Sequence, residues 1–168
     1  ALGNNNYWFT VCDLRSGYYQ VALAPQDRDK TAFVSHRGLY RYTVLPMGLS
    51  NAPSTFQRLM DMVMSGLLFE TCLVYLDDII IFSRTLEEHL QRLEEVLQRL
   101  VSTGLKLKPS KCRLLQTRVE FLGHIISSKG IETDPAKTDA IAKWPVPRSV
   151  RDVRGFLGLC GYYRRFVD

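Results

Sequence analysis

The chain has 168 residues, 46% hydrophobic and 23% charged, with 22 basic and 17 acidic side chains. That suffices for one well-filled core, not obviously for two full domains, and is an ordinary globular composition rather than a disordered one. No run of 18 uncharged apolar residues suggests a membrane helix, and the opening Ala1-Leu2-Gly3-Asn4-Asn5-Asn6 lacks the basic and apolar regions of a signal peptide.

The first element is Tyr7 to Cys12, an aromatic and β-branched run that predicts a buried strand. Tyr18 to Ala24 reads as an extended or helical piece closed by Pro25. Thr31 to Val34 and Leu39 to Leu45 predict paired strands around His36-Arg37-Gly38, and Pro46 breaks the second. From Ala52 to Leu68 apolar residues recur at three- and four-residue steps, predicting a helix with Asn51 as cap and Pro53 in its first turn. Cys72 to Leu76 and Ile79 to Phe82 predict a hairpin with Asp77-Asp78 between its strands. Thr85 and Glu88 form a capping box for a helix whose expected inner face is Leu86, Leu90, Leu93, Leu97 and Leu100, with Gly104 ending it. Val119 to Ile126 reads as one strand with Gly123 inside it. Ala136 to Trp144 and Val150 to Tyr162 read as basic amphipathic helices separated by Pro145-Val146-Pro147, in a smaller unit beginning near residue 128. This order predicts an α+β fold, an antiparallel sheet backed by helices on one face.

Cys12, Cys72, Cys112 and Cys160 form no C-x-x-C pair, and His36, His89 and His124 lack metal-ligand spacing. The cysteines read as small buried hydrophobes in a reducing compartment. Charge is uneven. Residues 1–103 carry 9 basic and 11 acidic side chains, net −2, while residues 104–168 carry 13 and 6, net +7. A basic C-terminal third suits contact with a polyanion, with a plain solvated surface as the alternative.

Asp77 and Asp78 are the anomaly, because adjacent carboxylates beside a buried hairpin are costly unless cations neutralise them. An exposed Asp-Asp turn is the bland alternative. Asp13 ends another apolar run, where it could equally cap a helix. If the two strands are neighbours, three carboxylates converge at one edge. All-oxygen ligands of this kind suit Mg²⁺, and two such ions can activate an attacking hydroxyl and stabilise a leaving phosphate. No Ser-His-Asp or Cys-His arrangement and no Walker-type loop competes.

Five stretches in order carry a resemblance. Phe9 to Gln20, containing Asp13, resembles polymerase motif A of reverse transcriptases, and Leu45 to Gln57 resembles motif B. Tyr75-Leu76-Asp77-Asp78 is similar to the Y-x-D-D of motif C, Gly104 to Cys112 to motif D, and Phe121 to Ile125 to the primer grip. The wording of these stretches, with Phe156-Leu157-Gly158-Leu159 and Tyr162 to Phe166, is most similar to gypsy-type LTR retrotransposon Pol polyproteins, across essentially the whole chain.

The resemblance implies a polymerase palm over residues 1–127 and the start of a helical thumb over 128–168. It implies an RNA-directed DNA polymerase acting on template, primer and dNTPs with two Mg²⁺ ions, Mn²⁺ being the alternative. Asp13, Asp77 and Asp78, with the backbone carbonyl of Leu14, would hold the ions. Tyr18 would exclude a ribose 2′-OH, or is a plain packing aromatic. Met47 and Gly48 would lie against the incoming nucleotide. Members often carry Phe or Gln where Met47 stands, so a side-chain hydrogen bond from that position is unavailable. Lys111 would protonate pyrophosphate, or is a surface lysine near nucleic acid. Phe121, Leu122, Gly123 and His124 would steady the primer end.

By the same resemblance the chain is expected to be a fragment, with most of the fingers upstream and RNase H and integrase downstream. It is expected to polymerise poorly alone and to reside in cytoplasmic particles with possible nuclear steps. Two alternatives remain. One is a catalytically inactive remnant that only binds nucleic acid. The other is an RNA-directed RNA polymerase, from which a Tyr18 gate would discriminate.

Overall fold

The computed structural model describes residue 2 and residues 5–166, so Ala1, Gly3 and Asn4 of the opening run lie outside the described residues. The strands are β1 (Trp8–Asp13), β2 (Phe33–Ser35), β3 (Gly38–Tyr40), β4 (Cys72–Tyr75), β5 (Asp78–Ser83), β6 (Arg113–Gln116), β7 (Arg118–Phe121), β8 (His124–Ser127) and β9 (Gly130–Thr133). The helices are α1 (Ala52–Val63), α2 (Leu86–Ser102), α3 (Pro135–Ala142) and α4 (Val150–Tyr162). Among the described residues no helix is long and apolar enough to cross a membrane.

The central sheet has the order β4-β5-β1-β6, antiparallel throughout. Successive side chains of a strand alternate faces, and β5 uses both. Ile79 and Ile81 join Cys12, Phe56, Met60, Leu93, Val96 and Leu100 on the side covered by α1 and α2. Ile80 and Phe82 point the other way, to Phe9, Val11, Val119, Phe121 and Ile126, under the small sheet β7-β8-β9. The expected antiparallel sheet backed by helices is present, and its second face is also covered. Ile79, Ile80 and Ile81 are all fully buried, each contributing about 2 kcal/mol of transfer free energy. The run Ile-Ile-Ile-Phe therefore specifies a central strand.

Several elements depart from expectation. The first long helix ends at Val63 rather than Leu68, because Gly66 turns the chain at φ 83°. Arg99 of α2 then donates to the free carbonyls of Val63 and Ser65. Asn51 precedes α1 but makes no side-chain cap. The Thr85–Glu88 capping box does form, with Thr85 Oγ1 accepting from Glu88 N–H and Glu88 accepting from Arg84 N–H. The inner face of α2 is His89, Leu93, Val96 and Leu100, while Leu86, Leu90, Leu97 and Val101 are exposed. Leucine spacing alone does not say which of two adjacent stripes meets the sheet.

Val119 to Ile126 is a hairpin, not one strand. Leu122 and Gly123 have φ 46° and 67° and form its two-residue turn. The Tyr18–Ala24 piece is a 3-10 turn over Gly17–Gln20 followed by extended chain, with an Ala22–Val44 bridge. The second strand of the 31–45 region is short, because only Gly38–Tyr40 pairs with β2. Strands β8 and β9 pair across residue 128, so the small sheet continues to Thr133 before the helices begin. Cys12 and Cys72 are buried, but Cys112 and Cys160 are partly exposed, so the buried-hydrophobe reading fails for those two.

Candidate active site

Asp13 is the last residue of β1 and Asp78 the first of β5, and the two stand directly opposite in register. Asp77 sits in the turn between Tyr75 and Asp78, which are themselves a pair. Leu14 N–H donates to the Asp77 carbonyl at 3.0 Å, tying the chain after Asp13 to that turn. The three predicted carboxylates thus reach one sheet edge.

The turn is strained. Leu76 has φ 55°, a left-handed conformation that costs a non-glycine residue roughly 1 kcal/mol or more. Gln57, on α1, holds it. Its side-chain carbonyl accepts from Leu76 N–H at 2.7 Å, and its amide donates to Asp61 at 2.9 Å and to the Val74 carbonyl at 3.4 Å. Gly17 makes room for this arrangement, since a Cβ there would lie 2.7 Å from Phe56 Cζ and 3.2 Å from Asp77 Cβ. Tyr18 follows, half-buried, its ring edge-on to Phe56 with centroids 5.4 Å apart.

Lys111 comes from the loop before β6. Its ammonium donates to Asp13 Oδ2 at 2.7 Å. That bond, with the charges of Asp13, Asp77 and Asp78, pushes Lys111 above its ordinary value. Burial, then Asp77 and Asp13, push Asp78 above the usual carboxylate range, and Lys111 offsets part of that. The loop is fastened to β1 by Lys108 N–H on the Asp13 carbonyl at 2.8 Å. Gln20 adds a second fastening, bonding the Arg15 carbonyl and both the N–H and carbonyl of Lys106.

Asp13, Asp78, Lys111, Arg113, Glu120 and Leu122 line one cleft of about 450 Å³. Leu122 brings the edge of the 121–124 stretch to it. Phe121 is buried beneath, while Tyr163 Oη donates to the Gly123 carbonyl at 2.6 Å and the His124 ring packs against Tyr162, tilted by 39°. These contacts pin the turn to the end of α4. Met47 is 63% exposed and Gly48 has φ 93° with no neighbour where a Cβ would stand, both on the open turn before α1. Neither is among the residues lining the cleft of Asp13, Asp78 and Lys111.

Among the described residues no three His, Cys, Asp or Glu side chains are gathered closely enough to form a ready-made metal cluster. The donor chemistry nonetheless fits a hard cation. Asp13, paired with Lys111, stands opposite Asp78, whose pKa is raised by burial first and then by the charges of Asp77 and Asp13. Sequence reasoning missed Gln57, Gln20, Arg113 and Glu120. Gln57 and Gln20 lay inside recognisable stretches, but their partners are set only by packing. Glu120 could have been placed by its alternation with buried Val119 and Phe121.

Residues 2–126 match the family described as Reverse transcriptase (RNA-dependent DNA polymerase). The chain is 46% identical over 99% of its length to the Retrovirus-related Pol polyprotein from transposon 297 of Drosophila melanogaster. It is 43% identical over 95% to that from transposon gypsy of the same organism. It covers 16% of each, about a sixth of these relatives. Among solved structures, the foamy viral protease-reverse transcriptase dRH in complex with ds DNA superposes with TM-score 0.90 at 28% identity, covering 97% of this chain and 29% of that one. The foamy viral protease-reverse transcriptase in complex with RNA/DNA hybrid superposes with TM-score 0.85 at 28% identity, covering 97% and 22%.

Proposed function

Because this chain belongs to the reverse transcriptase family, we propose that it is the polymerase centre of a longer retrotransposon Pol polyprotein, catalysing template-directed transfer of a deoxynucleotide to a primer 3′-hydroxyl. The observation that carries the reading is the register of Asp13 opposite Asp78, with Asp77 in the intervening tight turn. Residues 1–127 are read as palm and the helices that follow as the start of the thumb. Template, primer and dNTPs are the substrates. RNase H and integrase segments belong elsewhere in the polyprotein, which would act in cytoplasmic particles with nuclear steps.

In this reading Asp13, Asp77, Asp78 and the Leu14 carbonyl hold two Mg²⁺ ions, Mn²⁺ being the alternative. Bound there, divalent ions lower the pKa of the attacking hydroxyl and stabilise the departing charge. The chain's own groups do the remainder. Lys111 carries a proton at Nζ within reach of the acidic edge, where pyrophosphate would leave, and must first release Asp13. Tyr18, braced by Phe56, presents a ring against the sugar and excludes a 2′-OH. Gly48, with no side chain, lets the nucleotide approach the backbone beside Met47. Leu122, Gly123 and His124, over buried Phe121, steady the primer end.

The test is primer extension on an RNA template with dNTPs and Mg²⁺, using a longer chain that carries the flanking segments its relatives have. Extension that disappears in the Asp77→Asn, Asp78→Asn chain is the expected result. Absence of extension from a folded chain that still binds duplex would replace this reading with that of an inactive nucleic-acid-binding remnant.

A further inference from the structure

Two thiols that this chemistry leaves unused face each other beside Asp13 and Lys111. Cys12 is the penultimate residue of β1, and Cys112 immediately precedes β6. Val11 stands opposite Arg113 in the antiparallel β1–β6 ladder. The next rung toward Asp13 therefore sets Cys12 against Cys112. Cys112 has the extended backbone that rung needs, with φ −76° and ψ 137°. Just beyond, the register shifts by the Pro109–Lys111 turn: Lys108 N–H bonds the Asp13 carbonyl and Leu14 pairs with Leu107. The side chains agree with the backbone. Cys112 packs against the buried cluster that contains Cys12, and its thiol donates to the Lys108 carbonyl at 3.4 Å. Opposed residues of an antiparallel ladder have Cα atoms about 4.5–5.5 Å apart, inside the roughly 4.4–6.8 Å that a disulfide spans.

Accessibility divides the pair. Cys12 is fully buried, whereas Cys112 is partly exposed and is the thiol that a small solute meets first. We propose that Cys12 and Cys112 are a reversible redox site, a dithiol that a peroxide converts to a disulfide clamping β1 to the loop that carries Lys111. In the first step Cys112 sulfur attacks one peroxide oxygen and the O–O bond breaks. This gives a sulfenic acid on Cys112 and one water. In the second, Cys12 sulfur attacks Cys112 sulfur and the S–O bond breaks. The hydroxide leaves with the Cys12 proton as a second water. Two thiols are oxidised by two electrons and one hydrogen peroxide is reduced to two waters. A thiol reductant reverses the change by exchange at the exposed sulfur.

The site stands whether or not the chain polymerises, since its readout is covalent. The chain is treated with stoichiometric hydrogen peroxide, then alkylated, digested and mapped by mass spectrometry. The expected product is a Cys12–Cys112 linked peptide lighter by two hydrogens, abolished by dithiothreitol and absent from the Cys112→Ser and Cys12→Ala chains. The cross-link joins residues 100 positions apart, so the melting temperature of the oxidised wild type is expected to rise by roughly 10 °C. The Cys112→Ser chain, whose change is at the partly exposed position, should show no such rise. Cys112 recovered as a sulfinic acid beside a free Cys12 thiol would overturn the proposal. So would linkage through Cys160 between chains at the same dose, or a linked peptide with no gain in melting temperature.

Discussion

His89 is a fully buried polar side chain, and its surroundings fix its charge. Its ring nitrogens bond Thr10 Oγ1 at 2.8 Å and Ser83 Oγ at 3.0 Å, joining α2 to two strands. Burial, then the nearby Arg92 charge, hold it below its ordinary pKa of 6.5, with Glu88 opposing weakly. As pH falls through 6.5 the unfolded chain takes up a proton that the folded chain resists. Stability is therefore fully present above that pH, declines as pH falls toward the folded value, and levels off below it. The urea midpoint is expected to drop between pH 7 and pH 5.5, and to drop less steeply in His89→Gln; parallel slopes would remove this account. Gly17 is constrained by space rather than charge. Gly17→Ala drives a methyl to 2.7 Å from the buried Phe56 ring, an overpacking expected to cost about 1–3 kcal/mol in urea unfolding. An unchanged midpoint would mean that the ring moves freely.

Among the elements, the β4–β5 hairpin depends on a side chain outside itself. The Leu76 turn is held by Gln57 from α1, nineteen positions earlier in the chain. Gln57→Ala removes the acceptor of a part-buried N–H and is expected to cost about 1–2 kcal/mol. Gln57→Glu keeps that acceptor but loses both donations and sets a carboxylate against Asp61, so it should recover little stability at neutral pH; a Gln57→Ala midpoint equal to wild type in urea would exclude the hydrogen bond as a support of the turn. For α2 the two leucine stripes give opposite expectations. Leu100→Ala empties a buried site and should cost about 2–5 kcal/mol, while Leu97→Gln, at the exposed stripe, should stay within about 0.5 kcal/mol. The reverse ranking in chemical denaturation would put the other stripe in the core.

At the scale of the whole molecule the chain is open. Its accessible surface is 11320 Å², against roughly 8500 Å² for a compact monomer of 19.3 kDa. Phe33, Val34, Leu39, Leu90 and Val101 are among the apolar side chains that face outward. Charge is also distributed globally, with net +7 over residues 104–168. Arg151 and Arg154 of α4 are exposed. If this segment meets phosphates, duplex affinity falls with salt on a linear log–log plot, and each Arg151→Ala or Arg154→Ala change reduces the slope by about 1. Fluorescence anisotropy between about 50 and 200 mM salt measures it. An affinity indifferent to salt would deny the segment that role.

By itself the sequence determined what local patterning and short spacing can encode. Apolar runs and periodicity set β1, β4 and β5 of the central sheet but not its edge strand β6, whose exposed Arg113–Gln116 carries no such pattern; they also set the two long helices and the pair after Pro135, and the capping box set the start of α2. Apolar runs ending in Asp13 and flanking Asp77-Asp78 marked the acidic edge, because charge beside a buried strand is conspicuous in one dimension. Tertiary structure alone decided what depends on a partner distant in the chain. It chose which leucine stripe of α2 is inner, and split Val119–Ile126 at two left-handed residues. It set Asp13 against Asp78, seated Gln57 under the Leu76 turn, turned Lys111 onto Asp13, and brought Cys12 to Cys112. Each of these is fixed by strand register or by packing of one face on another. Both depend on residues tens of positions apart, and no local pattern carries that pairing.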